Sequence, residues 1–242
     1  MAVRGNGTYC PEIPDVVIRD TIVGAQAASL NNLGAVHDTV TTVTGSSKAQ
    51  RRAELLAARR EVPESVREAE AASLCAHLAE ATAGARTVCA YLPVGTEPGS
   101  PAMVDLLQEL CDEVLLPVVR SGTHAALLWG RYVAGALVTG RFGLREPAGP
   151  WLPADSVARA AVVLVPALAV DRSGVRLGRG GGFYDRTLTL CRPGARLVAV
   201  VRDCEVIDAV PAEAHDVRMT HALTPDAGLI VLGESPGRGT GT

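Results

Sequence analysis

Aromatic side chains make up only 3% of the 242 residues: two Trp, four Tyr and two Phe. That is too few for the stacked platforms that hold single-stranded nucleic acid. Lysine is nearly absent, since Lys48 is the single one and arginine supplies the rest of the positive charge. A net charge of −3 gives no bulk attraction to nucleic acid or to an anionic membrane. No apolar run reaches the roughly 20 residues that a membrane-spanning helix needs. The first residues lack the charged start and apolar stretch of a secretory signal. Six cysteines are present (Cys10, Cys75, Cys89, Cys111, Cys191 and Cys204), with no Cys-x-x-Cys and no histidine at ligand spacing beside them. This argues against a zinc site. Cys75 and Cys111 fall on apolar helix faces and Cys89 in an apolar strand, as buried thiols of a cytosolic protein do. A cytoplasmic protein with no nucleic-acid or membrane partner is expected.

What is present is a 48% hydrophobic chain, long enough for one α/β domain with its own core. Residues 1–45 mix Gly, Asn, Thr and Val without a sustained period and read as a poorly ordered extension. Translation starting near Val40 or Val43 is an open alternative for that segment. Residues 46–232 form the expected domain, and the Gly-rich tail 233–242 is disordered by composition.

Within the domain, Ser46 or Ser47 can cap a helix from Lys48 to about Arg60, with Lys48, Arg51, Arg52, Arg59 and Arg60 as a basic row. Pro63-Glu64 opens a second helix with the stripe Ala71, Leu74, Cys75, Leu78. Ser100-Pro101 opens a third with Met103, Leu106, Leu107 and Leu110. Strands are expected at 87–92, 113–118, 126–129, 161–165, 196–201 and, last, 218–223, with a helix at 182–190. Such alternation implies a mostly parallel sheet with helices on both faces, a three-layer α/β/α arrangement.

The densest signal is Arg176-Leu177-Gly178-Arg179-Gly180-Gly181-Gly182-Phe183-Tyr184-Asp185. Glycines let several backbone N–H groups approach one anion, and the start of the following helix adds positive potential. Arg176 and Arg179 supply forked donors for phosphate oxygens. Asp185 stands where a carboxylate can hold magnesium. The spacing fails the Rossmann pattern at its third glycine, about ten residues separate the loop from its strand, and Gly-Lys-Ser/Thr is absent. A glycine-rich turn with solvated arginines is the bland alternative; four glycines, two arginines and an aspartate within ten residues favour anion binding.

The stretch from Val165-Pro166-Ala167-Leu168 through Val170-Asp171-Arg172 and Gly174 to Arg186 resembles the signature of the 5-formyltetrahydrofolate cyclo-ligase family, the methenyltetrahydrofolate synthetases. Further blocks agree in order: Lys48-x-x-x-Arg52, Tyr91-Leu92-Pro93 with Glu97, Leu116-Pro117-Val118, Phe142-Gly143-Leu144-x-Glu146-Pro147 and Leu223-Thr224. The likeness spans roughly residues 46–230. Phe183 stands where tyrosine is usual and Val170 where an aromatic is common.

The resemblance implies conversion of 5-formyltetrahydrofolate and ATP to 5,10-methenyltetrahydrofolate, ADP and phosphate, with Mg²⁺, by a monomer. It assigns Lys48, Arg52, Arg176, Leu177, Gly178, Arg179, Gly180, Gly181, Gly182, Phe183 and Tyr184 to ATP. Leu92, Glu97 and Arg179 go to the folate, Asp185 and Asp216 to the metal, and Arg179 and Asp185 to catalysis. Without the resemblance, Lys48 and Arg52 read as a solvated basic face, and Glu97 as a cap for the helix at Ser100. Tyr184 and Trp129 can pack near a pterin, though lone aromatics are more often core. Two rivals remain: an inactive folate- or nucleotide-binding member of the family, and a sugar-phosphate or CoA enzyme on a similar scaffold.

Overall fold

Ser47 starts the first helix as expected: its hydroxyl accepts the Gln50 N–H at 3.2 Å and caps α1 (Lys48–Arg60). A computed structural model describes residues 47–120, 126–213 and 216–233. The N-terminal extension, His215 and the tail beyond Gly233 lie outside the described residues.

After α1 come α2 (Glu64–Ala81), β1 (Thr87–Cys89), α3 (Pro101–Leu110), β2 (Glu113–Val118), β3 (Leu128–Arg131), β4 (Leu137–Thr139) and β5 (Arg145–Pro147). A 3-10 segment at Ala154–Arg159 precedes β6 (Val162–Pro166), β7 (Ala169–Asp171), β8 (Arg176–Leu177) and α4 (Phe183–Leu188). The chain ends with β9 (Arg196–Val200), a 3-10 turn at Asp203–Glu205, β10 (Val206–Ile207), β11 (His221–Thr224) and β12 (Gly228–Val231).

The seven-stranded sheet has the order β12-β11-β9-β6-β1-β2-β3. Its five central strands are parallel, while β3 and β12 close the two edges antiparallel. This is the mixed, mostly parallel α/β architecture expected. Alternation along each strand separates two cores. Val88, Leu116, Leu164 and Val200 pack with α2 and α3. Cys89, Leu115, Val163 and Ala199 pack with Trp129, Val157 and Leu188. Cys89 and Cys111 are buried and Cys75 half-buried, and all are free thiols.

Several boundaries differ from expectation for local reasons. β1 stops at Cys89 rather than Leu92: Ala90 still donates to the Leu115 carbonyl at 2.9 Å, but Pro93 has no N–H to extend a ladder. Leu110 faces solvent, 41% exposed, and Val104 takes its place in the core. The strand expected at 218–223 is shifted to 221–224 and is not the last, because β12 folds back on it.

A third core joins α1 to the hairpin β7–β8: Leu55 packs with Leu168, Ala169, Val175, Leu177 and Val210. Buried Asp171 holds this hairpin. Its Oδ1 accepts Ser173 N–H at 2.9 Å and Val175 N–H at 3.0 Å, and its Oδ2 accepts Val210 N–H at 3.0 Å. Gly174 is obligatory in the turn, with φ +89° and a would-be Cβ 2.3 Å from the Met219 carbonyl oxygen. The glycine loop therefore does follow a strand, the two-residue β8, which is too short to leave a period in the sequence.

Candidate active site

The chain leaves β1 toward β2 and β3 on one side and returns to β6, β9 and β11 on the other. The carboxyl ends of β1 and β6 thus flank a reversal of strand order, the place where open α/β sheets bind ligands. Residues 90–100 follow β1, and the hairpin with its glycine loop follows β6. The two meet through an ion pair, Arg179 Nε to Glu97 Oε1 at 3.1 Å.

Three guanidinium groups surround the loop. Cβ atoms at Gly178 and Gly182 would lie 2.9 Å from Arg176 Nη1 and 2.7 Å from Arg186 Nη1; one at Gly180 would lie 3.5 Å from Arg52 Cζ. Side chains there would fill the space in which those charges converge. Arg52 Nε donates to the Gly178 carbonyl at 2.9 Å, and Arg186 Nη2 to the Gly181 carbonyl at 3.1 Å. Arg176 and Arg186 each retain a buried Nε without a hydrogen-bond partner, which suits a ligand rich in acceptor oxygens. Arg186 had no role from sequence; its position four residues after Gly182, one turn into the helix, was the available signal.

Gly182 adopts φ +67° and leads into α4. That helix has six residues, fewer than the nine expected from 182–190, and under two turns contribute little macrodipole. The positive potential comes mainly from arginines. Leu177 is buried in the third core and serves as an anchor, so its backbone is what a ligand could meet.

Helix α1 places two further groups here. Lys48 Nζ lies 2.9 Å from Glu213 and 3.1 Å from Asp216. Burial alone would lower its pKa, but hydrogen bonds to the two carboxylates outweigh it and raise the value. Asp185 pairs with buried Arg176. Burial pushes the Arg176 guanidinium down, and the charges of Asp185 and Asp216 oppose that shift. Asp185 thus lies against Arg176, and Asp216 against Lys48. Their hard oxygens fit Mg²⁺, which commonly takes one or two carboxylates and completes its shell with phosphate oxygens and water. Among the described residues no three metal-ligating side chains cluster. Asp185 beside Arg176 and Asp216 beside Lys48 are carboxylates that an ion arriving with phosphate oxygens could use.

Glu97 does not cap the helix at Ser100; its Oε2 accepts the Val94 N–H at 3.0 Å and closes the 94–97 turn. Leu92 is half-buried against the α2–α3 core. Tyr184 packs against the opposite core with a hydroxyl that is buried and unpartnered, and burial raises its pKa. Trp129 is fully buried and donates to the Ala154 carbonyl at 3.2 Å, so it is core and not a ligand platform.

A cleft of about 740 Å³ lies instead at the amino ends of the strands, beside Arg86, Thr87, Asp112, Glu113 and Arg159. It is lined by mutually paired surface charges and is remote from the glycine loop in the topology. The loop's chemistry outweighs that cleft's volume as the mark of the site. No helix among the described residues is long and apolar enough to cross a membrane.

The sequence profile of the 5-formyltetrahydrofolate cyclo-ligase family matches residues 44–225. The 5-formyltetrahydrofolate cyclo-ligase of Mycolicibacterium smegmatis is 57% identical over 189 residues, covering 77% of this chain and 97% of that one. That of Escherichia coli K12 is 31% identical over 143 residues, covering 58% and 79%. The 5,10-methenyltetrahydrofolate synthetase of Aquifex aeolicus superimposes with a TM-score of 0.64 at 23% identity, over 78% of this chain and 95% of its own, which speaks for the fold. With a profile matching most of its length and a relative more than half identical, the chain belongs to the 5-formyltetrahydrofolate cyclo-ligase family.

Proposed function

We propose that this chain cyclises 5-formyltetrahydrofolate to 5,10-methenyltetrahydrofolate at the expense of ATP, releasing ADP and phosphate. The observation that carries the reading is the glycine loop ringed by Arg52, Arg176 and Arg186, with Arg179 joined to Glu97 across the carboxyl ends of β1 and β6. The formyl oxygen is a poor leaving group. It attacks the γ-phosphorus of ATP and ADP departs. Folate N10 then attacks the activated formyl carbon, phosphate leaves with that oxygen, and N10 gives up its proton.

This chemistry asks for positioning and charge neutralisation rather than a protein nucleophile. Lys48, Arg52, Arg176 and Arg186, with the backbone from Leu177 to Tyr184, hold the phosphates. Asp185 and Asp216 hold Mg²⁺, which neutralises phosphate charge when bound. Arg179 steers the transferring group, and Glu97 with Leu92 receives the pterin; a carboxylate accepts two N–H bonds from its amino-amide edge. On binding, phosphate takes over part of the charge now balanced within the Arg176–Asp185 and Lys48–Asp216 pairs.

We further read residues 46–232 as one three-layer α/β/α unit, working as a monomer in the cytoplasm without nucleic acid. The test is to mix the full chain with Mg-ATP and 5-formyltetrahydrofolate and follow methenyl absorbance. ATP-dependent product is expected. Its absence with well-folded protein would overturn the reading, and binding without product would mark an inactive family member.

A further inference from the structure

Four charged side chains are buried beneath the site and take no part in the chemistry above. Arg59 is on the face of α1 that also carries Lys48, Arg52 and Leu55. Its Nε donates to Glu205 Oε1 at 2.6 Å, and its Nη2 donates to Glu205 Oε2 at 2.7 Å and to the Ala167 carbonyl, just past β6, at 2.6 Å. Glu205 Oε2 also accepts the Arg202 N–H at 2.8 Å. Arg202 Nε donates to Glu70 Oε2 on α2 at 2.8 Å, and its Nη1 reaches the Thr96 carbonyl at 3.3 Å. The side chains of Arg59, Glu205 and Arg202 are 2–3% exposed and that of Glu70 7%.

Such a set is a poor way to gain stability. Each ion loses several kcal/mol of hydration, and well-packed apolar residues often do as well or better. Arg59 Nη1 and Glu70 Oε1 are also buried without partners. What a forked pair adds over an apolar contact is direction: a guanidinium and a carboxylate fix one distance and one angle, whereas apolar surfaces permit sliding. The elements so fixed are informative. Arg59 is in the helix that offers Lys48 and Arg52 to the phosphate loop. Arg202 grips the carbonyl immediately before Glu97, the residue facing the other substrate. Glu205 joins the two.

We propose that Arg59, Glu205, Arg202 and Glu70 are positioning residues, a buried bracket that holds the nucleotide-binding helix and the 94–97 substrate loop in register. Arg59 governs the nucleotide side, Arg202 with Glu70 the folate side, and Glu205 both. The assignment rests on the cyclo-ligase reading for which substrate lies on which side.

The experiment uses full-length Arg59→Lys, Arg202→Lys and Glu205→Gln, each assayed well below its melting temperature. The lysines keep the charge but lose the fork. Arg59→Lys should raise KM for ATP about tenfold and leave KM for 5-formyltetrahydrofolate little changed; Arg202→Lys should do the reverse. Glu205→Gln should raise both. Should a variant fail to fold, Glu70→Gln supplies a milder test and should raise KM for the folate alone. Variants that melt earlier but keep both KM values and kcat, or lysine variants that shift the two KM values equally, would overturn the bracket and leave a purely structural network. Equilibrium titration of each variant with Mg-ATP and with 5-formyltetrahydrofolate separately reads the same split without turnover. A wild-type chain that binds both but makes no product refutes the activity while the bracket still stands or falls on that split.

Discussion

The two ends of the parallel sheet carry similar residues in opposite circumstances. At the amino ends, Arg86 pairs with Asp112 with side chains 89% and 62% exposed, and Arg131 and Arg159 share Glu113 from solvated positions. At the carboxyl ends, Arg59, Arg202 and Arg176 have side chains 2–6% exposed, and each has a carboxylate partner. The amino end has an open cleft of about 740 Å³; the carboxyl end has desolvated charge, converging donors and a glycine loop. Exposed pairs are screened and contribute little, whereas a charge stripped of water responds strongly to whatever completes its coordination. The proposed site lies where the charges are desolvated.

Breaking the buried end should have the largest effect. Arg59→Ala leaves Glu205 without its forked partner and should cost about 3–5 kcal/mol of stability, read from urea unfolding. Next, Asp185→Asn should lower kcat about 100-fold, which is ~2.7 kcal/mol in the barrier, measured in the methenyl assay. Because Asp185 also neutralises buried Arg176, a modest fall in melting temperature should accompany it. Arg179→Ala removes a half-exposed partner of Glu97 and the group that steers transfer; it should lower kcat and raise KM for 5-formyltetrahydrofolate, each about tenfold, with the melting temperature unchanged.

The amino end should scarcely respond. Arg86→Ala should leave kcat, both KM values and the melting temperature as in wild type. The one measurable effect expected there is a shallow pH slope from His221, at the start of β11. Burial, then the charge of Arg196, lowers its pKa below the usual 6.5. The unfolded chain then protonates first, so stability is full above that pH and is lost as pH falls through the depressed folded value. Unfolding midpoints between about pH 5 and 7 should show a shallower decline in His221→Gln.

Local signals were legible in the sequence. A serine cap and helical spacing placed α1 at 48–60, and an unbroken apolar run placed β2 at 113–118. Glycine density and flanking arginines located the loop. The short strands β8, β10 and β12 were not legible, because they lack a long apolar run or a period to read. Nor was the role of Arg59: within α1 it looked like one more member of a basic face, and its partner Glu205 lies 146 residues away. Likewise the pairing of Arg176 with Asp185 arises from the turn at Gly182, not from residue type. Motifs report which groups are present; which charges are dry is decided by chain segments that meet only after folding.

Lys48 has a practical consequence. As the only lysine among the 242 residues, it gives amine-selective acylating reagents a single side-chain target, apart from the terminal amine. That target sits between Glu213 and Asp216, and under the proposed function a docked triphosphate would cover it. Adduct formation at Lys48, read by peptide mapping so that the terminal amine is counted apart, would therefore gauge occupancy of the proposed site without an engineered probe or turnover.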